Sequence, residues 1–339
     1  MDQKPATIKQ IARRLNVSAS TVSRALHNHP SIGLRTKMQV QKLAAELQYE
    51  PNQAAISFKQ GKTYTLGLIV PKLSEEFFSI AINGVEDIAE QNNYTVLIGQ
   101  SHDDTEREKA IVDSMRRHRV DGILVSMAKN TRDYAHFEAL AKSNIPVVFF
   151  DRVPQALDAY SVSCNLRTSS SVMVDWLVSK GHRTIGFIKG AETMDATRER
   201  LEGYLEGLKR NGIKPDERMI VPSDLSQSSN VEAMKQLLAL RKRPTAIIAF
   251  NDYVALDAMK YARSQGLAIN KDIFFVSYAN LPITHYLAEP PLASVEQFPY
   301  EQARKATEIL MQLIQTKDKA GMEQIEKSVV LDSKLVVSK

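Results

Sequence analysis

Val17-Ser18-Ala19-Ser20-Thr21-Val22-Ser23-Arg24-Ala25-Leu26 reads as a short helix with two unlike faces. Ser18 sits as an N-cap, where a serine oxygen can accept from a free backbone N–H of the first turn. Val22, Ala25 and Leu26 then fall on one side at helical spacing, and Ala19, Ser20, Ser23 and Arg24 are left outward. Working backward, Thr7 opens a preceding helix, and Gln10 three residues later completes a capping box. Ile8, Ile11, Ala12 and Leu15 form the apolar face of that helix. Leu15-Asn16-Val17 makes the turn, with Asn16 suited to left-handed backbone that a β-branched residue resists. Working forward, a third helix over residues 35–47 is expected to bury Met38, Val40, Leu43, Ala44 and Leu47. Two short helices on a tight turn, the second small and polar at its exposed start, make a helix-turn-helix pattern, although the spacing also describes other three-helix bundles.

The charge around this stretch is lopsided. Residues 1–62 carry ten lysines and arginines against three acids, a net +7; the remaining 34 basic and 36 acidic residues leave residues 63–339 at −2. A basic head on a near-neutral body is the footprint of a polyanion partner, because each cation placed on a phosphate releases a counterion. A solvated basic face is the bland alternative, and it leaves the helix-turn-helix pattern unexplained.

The literal strings decide between them. Thr7-Ile8-Lys9-Gln10-Ile11-Ala12 and the ten residues from Val17 closely resemble the opening signature of the lactose-repressor family of bacterial transcription regulators. Tyr49-Glu50-Pro51-Asn52 resembles the family's hinge entry, which brings Asn52 into the DNA-binding set. The resemblance implies base-reading roles for Ala19, Ser20 and Arg24, and phosphate contacts for Thr7, Thr21 and Ser23, whose hydroxyls fix register without reading sequence. Thr21 serves equally well as a plain helix residue. Arg24 offers a two-pronged donor fork to guanine. The resemblance also implies a hinge helix within residues 51–63 that pushes an apolar side chain into the minor groove. That position is Phe58 where the family usually has Leu, and Ile56 stands where it often has Arg. Phenylalanine is a recognised minor-groove wedge.

Beyond Tyr64 the chain alternates β-branched runs with amphipathic helical stretches. Strands are expected at 66–71, 95–99, 122–126, 147–150, 185–188, 246–250 and 273–276. Helices are expected between them at 78–92, 106–118, 134–143, 168–180, 198–211, 230–240 and 253–265. Repeated βαβ units give parallel sheets with helices on both faces. The expected fold is therefore α/β: an all-α helix-turn-helix domain over residues 1–50, a hinge over 51–63, and a two-lobed body over 64–339. The resemblance implies a body built like a periplasmic binding protein, crossing between lobes near Ser163, Ser294 and Gln324. Lobe one is then 64–163 with 294–323, and lobe two 164–293 with 324–339. A terminal strand pair is expected within residues 329–337, with no heptad tail after it, so a two-fold homodimer is implied on a pseudopalindromic operator.

In such sheets ligands bind beyond the strands' carboxyl ends. Phe77-Phe78 after the first strand, Asp151-Arg152 after the fourth, Arg200 in Arg200-Leu201-Glu202-Gly203-Tyr204, and Asn251-Asp252 after the run 246–250 match the family's effector positions. A carboxylate and a guanidinium facing one cleft suit vicinal hydroxyls, since one accepts two hydrogen bonds and the other donates two. Plainer roles stay open: Phe77 and Phe78 as core, Asp252 as a helix cap, and Arg152 as the partner of Asp151. Cys164 stands where the family usually has Asp, with Asn165 intact, and Met194 and Ala196 replace polar groups of purine-responsive relatives. A sugar or sugar derivative is the expected effector.

Other classes fit less well. No G-x-G-x-x-G occurs, and Gly61-Lys62-Thr63 lacks the first glycine of a phosphate loop and precedes a strand instead of following one. One cysteine excludes an internal disulfide and fits a reducing compartment, and the N-terminus has no apolar signal segment, so Asn93-Tyr94-Thr95 is no glycosylation signal and a cytoplasmic location is expected. An exported solute-binding protein would account for the body alone. An enzyme would need a nucleophile, metal cluster or phosphate loop, and the seven histidines show no such spacing. No enzyme activity, cofactor, metal or membrane association is expected.

Overall fold

The computed structural model describes residues 6–49, 61–154, 156–316 and 319–338. The chain divides into two compact units, Met1–Thr63 and Tyr64–Lys339.

In the first unit, α1 (Ile8–Arg14), α2 (Ala19–Leu26) and α3 (Leu34–Glu46) close on a small core of Ile11, Ala12, Val22, Ala25, Val40 and Ala44. Both predicted caps form. Gln10 N donates to Thr7 Oγ1 at 3.3 Å while Thr7 N donates to Gln10 Oε1 at 2.8 Å, and Thr21 N donates to Ser18 Oγ at 3.0 Å. Asn16 turns the chain with φ +50. Met38, expected in the core, is 61% exposed. The buried stripe of α3 runs through Val40 and Ala44 with Leu43 and Leu47 beside it, and Met38 lies off that line.

In the second unit, β1 (Thr65–Val70), β2 (Thr95–Gln100), β3 (Gly122–Val125), β4 (Val147–Phe150), β5 (Tyr160–Cys164) and β11 (Ser328–Leu331) form one sheet. Its order is β11-β5-β4-β3-β1-β2, parallel throughout. Helices α4 (Glu76–Gln91), α5 (Thr105–Arg117), α6 (Ala135–Lys142) and α11 (Pro299–Gln315) pack against this lobe. The other sheet joins β6 (Ile185–Lys189), β7 (Ile220–Pro222), β8 (Ala246–Ala249), β9 (Phe274–Tyr278), β10 (Ala293–Glu296) and β12 (Lys334–Val337) in the order β12-β10-β9-β8-β6-β7. Only β12 runs antiparallel within it. Its helices are α7 (Leu166–Ser179), α8 (Asp195–Arg210), α9 (Gln227–Ala239) and α10 (Asp252–Ser264), and a short α12 (Lys319–Glu323) precedes β11.

Strands covered on both faces must be apolar on both faces, and β1 is buried from Leu66 to Val70. Leu68 packs with Val85, Phe150 and Leu310, while Ile69 faces Met115 and Phe149 across the sheet. Each such side chain contributes about 1.5–3 kcal/mol of burial. Helices approach closely where glycine allows it: a Cβ on Gly84 would lie 2.3 Å from the carbonyl of Tyr300, and one on Gly203 would lie 2.1 Å from that of Arg167.

The lobe boundaries differ from those expected. β10 belongs to the lobe-two sheet, so the second crossing falls just after Glu296, and the third falls between β11 and β12, not near Gln324. The expected terminal strand pair is no pair: β11 adds parallel to β5 and β12 antiparallel to β10, with Asp332 and Ser333 passing between lobes. The crossings are tied together. Cys164 Sγ donates to the Gln297 carbonyl at 2.8 Å, and Ser333 Oγ donates to that of Asn165 at 3.0 Å.

Candidate functional site

The start and outer side of α2 are exposed. Ala19, Ser20 and Arg24 are exposed, and Thr21 and Ser23 are half-buried. Thr7, exposed at the start of α1, holds its capping box. Ser18 Oγ lies 2.7 Å from Ser20 Oγ and 2.8 Å from Thr21 Oγ1, so a band of hydroxyls runs along the first turn of α2. Small side chains leave the backbone of that turn open to approach, and Arg24 stands one turn on. Asn52 and Phe58 lie outside the described residues, as do residues 50–60 as a whole.

Within the body, residues following strands of both lobes converge. In lobe one, Asp151 follows β4 in left-handed backbone, φ +58, and its Oδ2 accepts from Ser126 Oγ at 3.1 Å. Burial pushes its carboxyl up, although Arg152 and Arg200 pull it the other way. Arg152 Nη1 donates to Asp103 Oδ1 and lies over the Phe78 ring at 5.6 Å. Phe77 and Phe78 are themselves core residues, packed edge to face with centroids 5.3 Å apart. Phe78 thus supports Arg152 from within.

In lobe two, Arg200 is 4% exposed, with its guanidinium between the rings of Phe250 and Tyr278, 4.3 Å from each centroid. Its Nη1 donates to the Phe250 carbonyl at 2.8 Å and its Nη2 to Gln297 Oε1 at 3.1 Å, while its buried Nε meets no acceptor among the described residues. The neighbouring residues of its motif explain themselves: Gly203 lets α8 press on α7, and Tyr204 donates to the Ile185 carbonyl at 2.8 Å. Together they fix Arg200 against the cleft.

The Asn251-Asp252 pair is turned inward. Asn251 Oδ1 caps α10 by accepting from Val254 N at 2.9 Å. Asp252 is fully buried: Oδ1 accepts from Ser277 Oγ and from Ser294 Oγ at 2.8 Å, and Oδ2 from Leu281 N at 2.6 Å. With three donors from its own lobe, Asp252 is an internal anchor in the free protein. Asp103, Ser126 and Gln297 join the site beyond the residues expected from sequence. Asp103 and Ser126 follow β2 and β3, so the rule that ligands meet strand ends already pointed to them.

A helix-turn-helix head and a two-lobed body with polar groups converging between its sheets define a ligand-responsive DNA-binding regulator. Residues 7–52 match the family described as bacterial regulatory proteins, lacI family, and residues 66–318 match the periplasmic binding protein domain. The chain belongs to the lacI family of bacterial regulatory proteins. The HTH-type transcriptional repressor CytR of Escherichia coli (strain K12) is 33% identical over 310 residues, 91% of this chain and 90% of that one. The lac repressor dimer bound to operator and the anti-inducer ONPF superposes with a TM-score of 0.84 at 26% identity, covering 98% of both chains. A periplasmic binding protein/LacI transcriptional regulator of Alkaliphilus metalliredigens QYMF, complexed with D-xylulofuranose, covers 80% of this chain and 97% of its own at TM-score 0.69 and 26% identity.

Proposed function

We propose that this regulator is a repressor that reads its operator through Ala19, Ser20 and Arg24, is positioned by Thr7, Thr21 and Ser23, and releases or grips DNA according to a sugar-like effector bound between its lobes. It acts as a homodimer, as the lac repressor does on its operator. The exposed edge strand β2, with Leu97 39% and Ile98 37% exposed, supports a partner copy, because an unpaired apolar edge favours association. We read the function as binding and not catalysis, because the CytR and lac proteins this chain resembles are repressors. No helix among the described residues is long and apolar enough to cross a membrane.

The observation that carries the effector reading is the pair Asp151 and Arg200, a carboxylate that follows β4 and a guanidinium bonded to Gln297 at the second crossing. They come from different lobes, and each lies in the other's electrostatic field. A diol placed between them donates to the carboxylate and accepts from the guanidinium, which replaces water for both groups. Pentoses, hexoses, disaccharides and sugar acids are screened by the rise in melting temperature they give the full chain. Arg200→Ala is expected to abolish the rise caused by every active compound, because Asp151 keeps its place while the opposing donor is lost. Equal rises in wild type and variant would put the pocket elsewhere.

On the DNA side, Arg24→Ala is expected to cost about 1–3 kcal/mol on the operator and to relax selectivity at one base pair. Lys9→Ala, on the exposed side of α1, should weaken all sequences alike. Equal losses for Arg24→Ala on operator and random duplex would reduce Arg24 to a phosphate contact.

A further inference from the structure

One loop reaches from lobe one into lobe two. It follows β3, and its Lys129 is held at both ends of the residue. Lys129 Nζ donates to the Asp224 carbonyl at 2.8 Å, and the Lys129 carbonyl accepts from Thr193 Oγ1. Asp224 follows β7 and Thr193 follows β6, so both partners stand at strand ends of the opposite sheet. A second tie joins other strand ends, with Ile283 N donating to Glu76 Oε2 at 3.1 Å.

The loop is fastened from below by buried polar groups. Glu108, fully buried on α5, accepts from Ala128 N and from Thr131 Oγ1, both at 2.6 Å, and lies 3.2 Å from His136 Nε2. Asp103 Oδ1 accepts from Lys129 N at 3.1 Å and also from Arg152 Nη1. One carboxylate oxygen therefore serves both the bridging loop and the arginine that stands beside Asp151. His102 and Asp103 both adopt left-handed backbone, φ +55 and +61, which non-glycine residues keep only where their surroundings hold them. Burial alone would raise the Asp103 carboxyl, yet Arg152 and the Lys129 amide hold it below its ordinary range.

We infer that Lys129 is a clasp holding the two lobes together, and that Asp103 makes its grip depend on Arg152. The inference rests on the effector binding between the lobes. An effector oxygen that draws Arg152 away from Asp103 removes the ion that orients the clasp's own anchor. Occupancy and lobe separation are then linked, and linkage acts in both directions: loosening the clasp alters effector affinity by the same factor as the effector alters the clasp.

The clasp is tested first without any ligand, on the full chain. Glu138 on α6 and Gln236 on α9 are exposed, one on each lobe, and Glu138→Cys with Gln236→Cys gives two spin-label sites. Cys164 is buried, with its thiol pushed up to about 12, so it does not compete for label at neutral pH. Labelled chains are diluted into excess unlabelled protein so that every distance arises within one chain, and double electron–electron resonance reads the separation of the lobes. Lys129→Ala is expected to raise the ratio of open to closed forms about tenfold, and Thr193→Val, which changes only the opposite lobe, should raise it less. Arg152→Ala should also raise it, although Arg152 is bonded to neither Thr193 nor Asp224. Unchanged distances in both Lys129→Ala and Thr193→Val overturn the clasp. Opening in those two variants but not in Arg152→Ala overturns the dependence on Arg152. The effector reading fails separately, if Arg200→Ala keeps its sugar-induced rise in melting temperature.

Discussion

Operator affinity is expected to fall about 10^5-fold as salt rises from about 50 to about 200 mM. The cause is the +7 carried by residues 1–62 of each chain, set against a body at −2. A dimer that neutralises on the order of ten phosphates releases that many condensed counterions, and log K then falls with log salt at a slope near −9. Specificity should be far less sensitive, because base-edge contacts such as those proposed for Arg24 release no counterions of their own. Fluorescence anisotropy with operator and random duplexes, titrated at four or more salt concentrations, gives both slopes. Parallel lines separated by a constant gap are the expected result. A slope near zero would mean that the basic head does not lie along the phosphates.

The head was legible in sequence because its signals are local. Thr7 with Gln10, Asn16, and Ser18 with Thr21 are each satisfied within four residues, so the string carries its own structure. Met38 shows the limit: apolar content alone does not place a residue on the buried stripe of α3. In the body, the apolar strands β1, β3, β4 and β8 announced themselves, since a strand covered on both faces has no polar positions to blur it. β5 and β10 did not. Tyr160-Ser161-Val162-Ser163-Cys164 and Ala293-Ser294-Val295-Glu296 lie next to the crossings, and their serines interrupt the apolar run that marks the other strands. The lobe boundaries slipped for the same reason. Two strands separated only by Asp332 and Ser333 look like a hairpin, and pairing partners far back in the chain, on β5 and β10, decide that they part company.

The site divided along similar lines. Arg200 could be named from its motif because Gly203 and Tyr204, which seat its helix, follow within one turn, although its guanidinium partners Phe250, Tyr278 and Gln297 lie far along the chain. The environment of Asp103 could not be, since its partners Lys129 and Arg152 come from two other loops. The Asn251-Asp252 pair is the sharpest case. Both residues follow a strand and both look fit for hydroxyls, yet one caps a helix and the other is sealed inside lobe two.

Asp252→Ala is therefore expected to destabilise the body by about 3–5 kcal/mol, where a lost ligand contact would leave the stability of the free protein unchanged. Three donors depend on this carboxylate: Ser277 Oγ, Ser294 Oγ and Leu281 N. They come from β9, from β10 and from the loop that follows β9, so the substitution leaves buried donors on three segments without an acceptor. Asp252→Asn should cost less, because its carbonyl still accepts while its amide group opposes the Leu281 N–H. The acid dependence follows from the same burial, which raises the folded-state carboxyl above its ordinary value. A raised carboxyl binds its proton more tightly in the folded form. Its contribution to stability is then whole below the unfolded value and declines as pH climbs through the folded one. The wild type should accordingly lose stability relative to Asp252→Asn as pH rises out of the usual carboxylate range. Urea unfolding of the three proteins across that range, with the denaturant slope checked for constancy, measures both effects. If Asp252→Ala unfolds at the wild-type urea concentration and yet loses its sugar-induced rise in melting temperature, the carboxylate faces the effector after all.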